Sequence, residues 1–427
     1  MKSKTRKVTD PHTAVLIGFE LSKVLDQSLE EPIAPAKMLA SIIRGKVSAK
    51  GIRLSAVEQT LVEEACESGF RGNWSALENL QIHRRGRGDE SIELVEADVS
   101  RAIRNIQKSL PAILRKVVET CADRTFPDFA ARLAKVEAQD SKEHAGFQRR
   151  LERSYRPGLL AFKRFLTASL LAGNALFLSH SEPKGLRQTP RRVALLRLHH
   201  RACRVALEVH WLLRAGYSDG AMARWRTLHE LAVCAAFLQS NKAEVARRYI
   251  RHEALQRRQI DRAIAARTQG GAQAALPANP GVEFLKATYG GEYCDDYGWA
   301  AAALGAKRVT FRDLEQATGF GHVRTEYLKA NSAVHASSLG LTYRPGVNQN
   351  ATAGTDLDWA ITSNIGLVVP ATLASWSLLN VTVALLVASV TPERVVLMNH
   401  LVKLERDVRR TFARSERRIM GREATGS

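Results

Sequence analysis

Along most of this chain apolar residues recur every three or four positions, the period of a helix with one buried face, and alternating runs are few. The pattern predicts an all-α, multi-helix bundle. Its clearest part is an antiparallel helical hairpin. Helical periodicity runs from Arg191 to Ala215 and stops at Gly216, a residue that reaches the left-handed C-cap conformation cheaply. Ser218 and Asp219 follow as candidate N-caps of the next helix, and so short a connection makes the two helices neighbours. A third helix is predicted over Ala243–Arg267, after the Ser240-Asn241 break.

The middle helix is apolar all round. Ala221, Met222, Leu228, Leu231, Val233 and Phe237 point in every direction at about 100° per residue, which marks a buried helix. It nevertheless carries Arg224, Arg226, His229 and Glu230. Arg226 and Glu230 stand one turn apart on the row of Val233 and Phe237, an ion pair in an apolar setting. Burying either charge alone would cost on the order of several kcal/mol, so partners are required. The flanking helices offer them. On the first, Arg197, Arg201, Arg204 and Glu208 form a solvent stripe, with His199, Cys203 and His210 on the opposite side. On the third, Glu253 shares a row with Ala246, Tyr249, Ile250 and Ile260. The cluster is open to two readings, a register-fixing ion-pair network or a catalytic site.

Elsewhere the pattern gives shorter pieces. Residues 1–10 form a basic arm, and helices are predicted over Thr13–Asp26, Pro35–Arg44 and Ser55–Ser68, the last capped by Ser55. His83–Glu90 is a charged arginine-glycine loop. Ser91–Cys121, Phe129–Glu137 and Lys142–Ser154 are helical in pattern, and Pro157 suits the first turn of a new helix. That places a boundary near Arg156, between an N-terminal region of short helices (1–156) and a bundle domain (157–427). Leu159–Ser181 reads as a core helix. Gln269–Gly281 and Tyr343–Asp358 are loops, Thr310 caps a short helix, and His322–Leu339 places Asn331 and His335 one turn apart on a helix. Trp359–Thr391 carries no charge and is the one candidate membrane span, but Asn364, Asn380 and Pro370 favour a core helix kinked at the proline.

Three motifs in this region, Leu213-Arg-Ala-Gly216, Arg226-Thr-Leu-His-Glu230 and Ala246-Arg-Arg-Tyr-Ile250, with Asn331-Ser-Ala-Val-His335 downstream, resemble the domain-of-unknown-function 5677 family of mainly bacterial proteins over residues 191–341. The resemblance implies an all-helical bundle, makes Arg226, Glu230 and His335 the positions to watch, and implies no established activity.

Charge changes the picture most. The 427 residues carry a formal net charge of +20, which points to a polyanionic partner, RNA or DNA, unless it reflects an arginine-rich composition alone. The surplus extends over the first and third helices of the hairpin region. Arg197, Arg201 and Arg204 are therefore the candidate nucleic-acid contacts. The five cysteines are scattered without a C-x-x-C, and the basic start lacks an apolar signal core, so a reducing cytoplasm is expected. No nucleotide, cofactor or zinc-protease motif occurs, so no cofactor and no metal are expected. A carboxylate-bridged metal site of Glu230, Glu253, His229 and His335 lacks the Glu-x-x-His pairs such bundles use.

The favoured function is nucleic-acid-associated binding or an adaptor role. The enzymatic alternative is a metal-independent ribonuclease resembling the HEPN type, with a defence or stress context. Such domains carry an arginine and a histidine four to six residues apart, as in Arg224 and His229, the histidine moving a 2′-hydroxyl proton and the arginine stabilising phosphorane charge. Those two residues stand about 140° apart around a helix. A purely structural or protein-interaction bundle is the third reading, and a homodimer is compatible with all three.

Overall fold

The structure, a computed structural model, describes residues 11–78, 92–178, 189–268, 279–335, 338–342 and 362–424. Among them all regular structure is helical, in α1 (Pro11–Ile33), α2 (Pro35–Ala49), α3 (Ala56–Phe70), α4 (Ser75–Glu78), α5 (Glu96–Leu178), α6 (Pro190–Ala215), α7 (Ser218–Ser240) and α8 (Ala243–Thr268). There follow α9 (Pro280–Tyr289), α10 (Gly298–Leu304), α11 (Phe311–Ala317), α12 (Arg324–Ser332), α13 (Ser338–Thr342), α14 (Val368–Leu386) and α15 (Pro392–Ala424), with 3₁₀ turns at Gly291–Cys294 and Phe320–Val323. The basic arm, the arginine-glycine loop at 83–90, the glycine-rich loop after α8 and the 343–358 loop lie outside the described residues, the third of these except for its last residues.

The chain divides into two compact units, Lys4–Lys142 and Glu143–Ser427. The first holds a small core of Ala40, Ile43, Val47, Val62 and Cys66. Ser55 caps α3 as expected: its hydroxyl accepts from the Glu58 amide while the Glu58 carboxylate reaches back to the Ser55 amide at 2.7 Å. In the same unit Lys46 pairs with Asp98.

The segments expected as separate helices between Ser91 and Ser181 are one helix, α5, in which the expected boundary near Arg156 falls. Pro111, Pro127 and Pro157 each delete a backbone donor and crowd the carbonyl one turn earlier, so the sequence reads as broken there. Leu151 and Tyr155 before Pro157, and Leu159 and Phe162 after it, are all buried at three- and four-residue spacing. Burial on both sides holds the helix through the proline.

In the unit 143–427, α7 packs against α6 and α14, α6 also meets α14 and α8, and α14 meets α15. Two glycines let α5 come close to this assembly. A Cβ at Gly173 would stand 2.4 Å from the His199 ring of α6, and one at Gly158 would stand 2.8 Å from Phe412 of α15. Across α14, the Trp225 indole donates to Ser377 Oγ at 3.0 Å, and Ser375 Oγ lies 3.3 Å from the buried Glu405 of α15. Glu405 is further paired with Arg409 at 2.8 Å.

The uncharged stretch is shorter as a helix than expected. α14 begins at Val368, so Pro370 sits in the first turn, where its missing N–H leaves no bond unmade, and it makes no kink. α14 and the apolar part of α5 are long and apolar enough to cross a membrane; 56% and 50% of those windows are buried inside the bundle.

Candidate functional site

The site is organised by α7. Gly216 closes α6 in the left-handed conformation (φ 83°), as expected, and a side chain there would strike Phe147 at 2.8 Å and the Ser363 carbonyl at 3.0 Å. The N-cap position of α7 is Tyr217, and Ser218 is its first helical residue, one position from the expected cap. α7 then presents its inward polar residues to α11 and α12.

His229 and Glu315 are both fully buried, with Nε2 of the imidazole 2.9 Å from Glu315 Oε1. The other carboxylate oxygen accepts from Arg324 at 2.7 Å. Five aromatic rings surround the imidazole: Trp225, Phe311, Phe320, Tyr327 and Trp376, with centroids 5.3 to 6.5 Å away. His229 Nδ1 has no hydrogen-bond partner. The arrangement suits the tautomer with its proton on Nε2, donated to Glu315, because a bare ring nitrogen among aromatics costs less than an orphaned N–H.

One turn along, the expected Arg226/Glu230 pair forms at 3.2 Å. Tyr327 completes it. Its hydroxyl donates to Glu230 Oε1 at 2.7 Å and accepts from Arg226 at 3.1 Å, while the Arg226 and Arg324 guanidiniums lie 5.2 and 5.1 Å from the Tyr327 ring centre. Burial, and then the Glu230 carboxylate, push the Tyr327 phenol up to about 12. Burial first and Glu230 second also push the Cys234 thiol up to about 12. The phenol and the thiol both keep their protons near neutrality.

The other expected members stand apart. Arg224 points to the opposite side of α7, where it pairs with Glu208 of α6, so Arg224 and His229 share no site. Glu253 lies exposed on α8, paired with Arg257 at 2.6 Å. α12 stops at Ser332, and His335 lies exposed beyond it, its amide bonded to the Asn331 carbonyl at 2.9 Å. Among the described residues no three His, Cys, Asp or Glu side chains are placed to hold a metal ion.

Sequence reasoning missed Glu315, Arg324 and Tyr327. A local signal exists for the first: Phe311, Leu314 and Glu315 share one face of a two-turn helix, so the carboxylate follows its apolar neighbours inward.

On the outer side, Arg197, Arg201 and Arg204 are exposed along α6 as expected. Arg201 and Arg204 form no ion pair among the described residues, and Arg197 lies near enough to Glu253 to help lower its pKa, after the larger effect of Arg257. The α8 arginines are more engaged. Arg247 pairs with Glu244, Arg257 with Glu253, Arg251 donates to Tyr289, and Arg248 lies over Tyr289 and Tyr293.

Neither the curated proteins nor the solved structures contain a match to this chain. Residues 192–351, which take in α7, its polar network and the outer row of α6, match the model of a family of unknown function, DUF5677, the family whose motifs the sequence resembles.

Proposed function

We propose that this protein binds nucleic acid through rows of cations on its outer helices, as a binding or adaptor protein. The observation that carries the proposal is selective pairing of charge. If +20 were only an arginine-rich composition, cations and acids would neutralise each other everywhere, as they largely do on α8. On α6, Arg201 and Arg204 are left without ion pairs. On α15, Lys403, Arg406, Arg410, Arg414 and Arg417 recur at three- and four-residue spacing on the side opposite the buried Leu401, Val408 and Phe412. All five are exposed and form no ion pair among the described residues, and one acid, Asp407, is exposed beside them. Like-charge rows of this kind repel within the folded chain and gain when phosphates approach.

The buried network supports the structural reading of its residues. His229 meets no solvent and is held by Glu315, while Arg224 serves Glu208, so the arginine and histidine of a ribonuclease pair are not jointly available to a scissile phosphate.

Fluorescence anisotropy with a labelled mixed RNA pool, from about 50 to about 200 mM salt, tests the proposal. Binding should fall steeply with salt. The double variant Arg201→Ala/Arg204→Ala should lower the log–log slope by about 2, roughly 0.9 per lost phosphate contact, and leave the melting temperature unchanged. Salt-independent binding, no binding, or an unaltered slope in the variant would overturn it.

A further inference from the structure

The outer row of α6 does not end in charge. Arg197, Arg201, Arg204, Glu208 and Trp211 follow one another at four- and three-residue intervals, so all five lie on one face. Glu208 is neutralised by Arg224. Trp211 is 56% exposed, an unusual position for the largest apolar side chain in a soluble surface. The Arg214 guanidinium lies over its ring at 5.2 Å and is itself tied to Glu152 at 3.0 Å. One face of the indole is thus backed by a fixed guanidinium, and its exposure belongs to the other. At the opposite end of the row Phe177 is 67% exposed and meets the His200 ring edge-on at 6.2 Å.

We infer that this face takes single-stranded nucleic acid, with bases stacking on Trp211 and Phe177 and the phosphates running along the arginines between them. The inference rests on the nucleic-acid reading above and adds the substrate class. Exposed rings flanking unpaired cations fit a strand whose bases are free to turn outward, since every base offers a π-face and a duplex offers none. His200 and Trp211 are eleven residues apart along α6, about 16 Å at 1.5 Å per residue, which matches about five nucleotides at roughly 3.4 Å each in a stacked strand. The α15 row has no such rings. Between Lys403 and Arg417 its exposed residues are all polar, so that row can follow phosphates of either form.

The test uses the full chain with a fluorescein-labelled 12-nucleotide oligouridylate, its deoxy counterpart and a 12-base-pair duplex, read by anisotropy at one salt concentration and then across a salt series. Wild type should bind both single strands more tightly than the duplex. Trp211→Ala should weaken single-strand binding about tenfold while leaving the salt slope and the duplex affinity unchanged. Trp211→Phe, which keeps a ring, should recover most of the loss, and a circular-dichroism melt should show all variants folded. Equal affinity of Trp211→Ala and wild type for the single strands would overturn the inference and mark Trp211 as a protein contact. An equal loss on the duplex would also overturn it. In both cases salt-dependent binding would survive, so the nucleic-acid reading would stand. Failure of wild type to bind any of the three probes would remove both.

Discussion

Glu315 is the residue on which the centre of the bundle depends most directly. Its carboxylate is fully buried and divides its two oxygens between His229 of α7 and Arg324 of α12, so three elements meet at one charge. Glu315→Gln keeps the volume and one acceptor but removes the charge and turns an N–H toward one of two donors. Breaking a buried, hydrogen-bonded pair costs about 3 to 5 kcal/mol; the acceptor that glutamine keeps places this substitution near 3. In a unit of this size each kcal/mol lowers the melting temperature by roughly 2 to 4 °C, so differential scanning calorimetry should show a drop of about 6 to 12 °C. Added salt should change that drop little, because the pair is shielded from solvent. A melting temperature within about 1 °C of wild type would refute the reasoning, since the stated cost cannot be that small. The variant also separates fold from chemistry. If Glu315→Gln or His229→Ala kept wild-type stability yet abolished an EDTA-resistant RNA cleavage by the parent protein, the network would be catalytic and not structural.

Two further predictions concern α5 and α6. Gly173→Ala would drive a methyl group into the His199 ring, 2.4 Å from the ideal Cβ position, and the shift of two packed helices should cost about 1 to 3 kcal/mol, read as a lower midpoint in urea. His199 also sets a pH dependence. Burial, with a smaller push from His200, lowers its pKa from 6.5 to about 4. Above pH 6.5 neither folded nor unfolded chain protonates it and its contribution is complete. Between pH 6.5 and about 4 the unfolded chain takes up a proton that the folded chain refuses, so stability falls by about 3 kcal/mol across that window. His199→Asn should flatten the fall measured by urea titration at stepped pH. An undiminished slope would show that the other buried histidines, His210 and His252, carry it.

The sequence made the hairpin legible because its signals are local. A left-handed glycine, a periodic apolar face and an i, i+4 pair are fixed by neighbours within a turn, and Gly216, α6, α8 and Arg226/Glu230 are found as expected. What it could not supply is the partner of each buried polar group. His229 is joined to a glutamate eighty-six positions away, and no periodicity encodes that distance. Proline was overread for a related reason: at Pro157 the local cost is visible in the sequence, while the burial of Tyr155 and Phe162 that outweighs it comes from α15 and α6, far along the chain. The hydroxyl of Tyr327 shows the same limit, since only the packed structure brings it between Arg226 and Glu230.

The buried titratable groups point away from nucleophilic chemistry and toward the surface. Cys203 lies 3.6 Å from His199 Nε2, the distance of a catalytic thiol and its base. Such a pair works when the histidine accepts the thiol proton and the ion pair is stabilised. Here burial acts in the opposite sense on both partners, raising the thiol to about 12 and lowering the imidazole to about 4. The proton therefore stays on sulfur, and the contact is packing. Tyr327 and Cys234 are raised in the same way by burial beside Glu230. The interior spends its polar groups on joining helices. The groups left with unsatisfied charge or exposed aromatic surface are Arg201, Arg204 and Trp211 on α6 and the cation row of α15, so binding chemistry faces outward, and it is there that substitutions should change function without changing the fold.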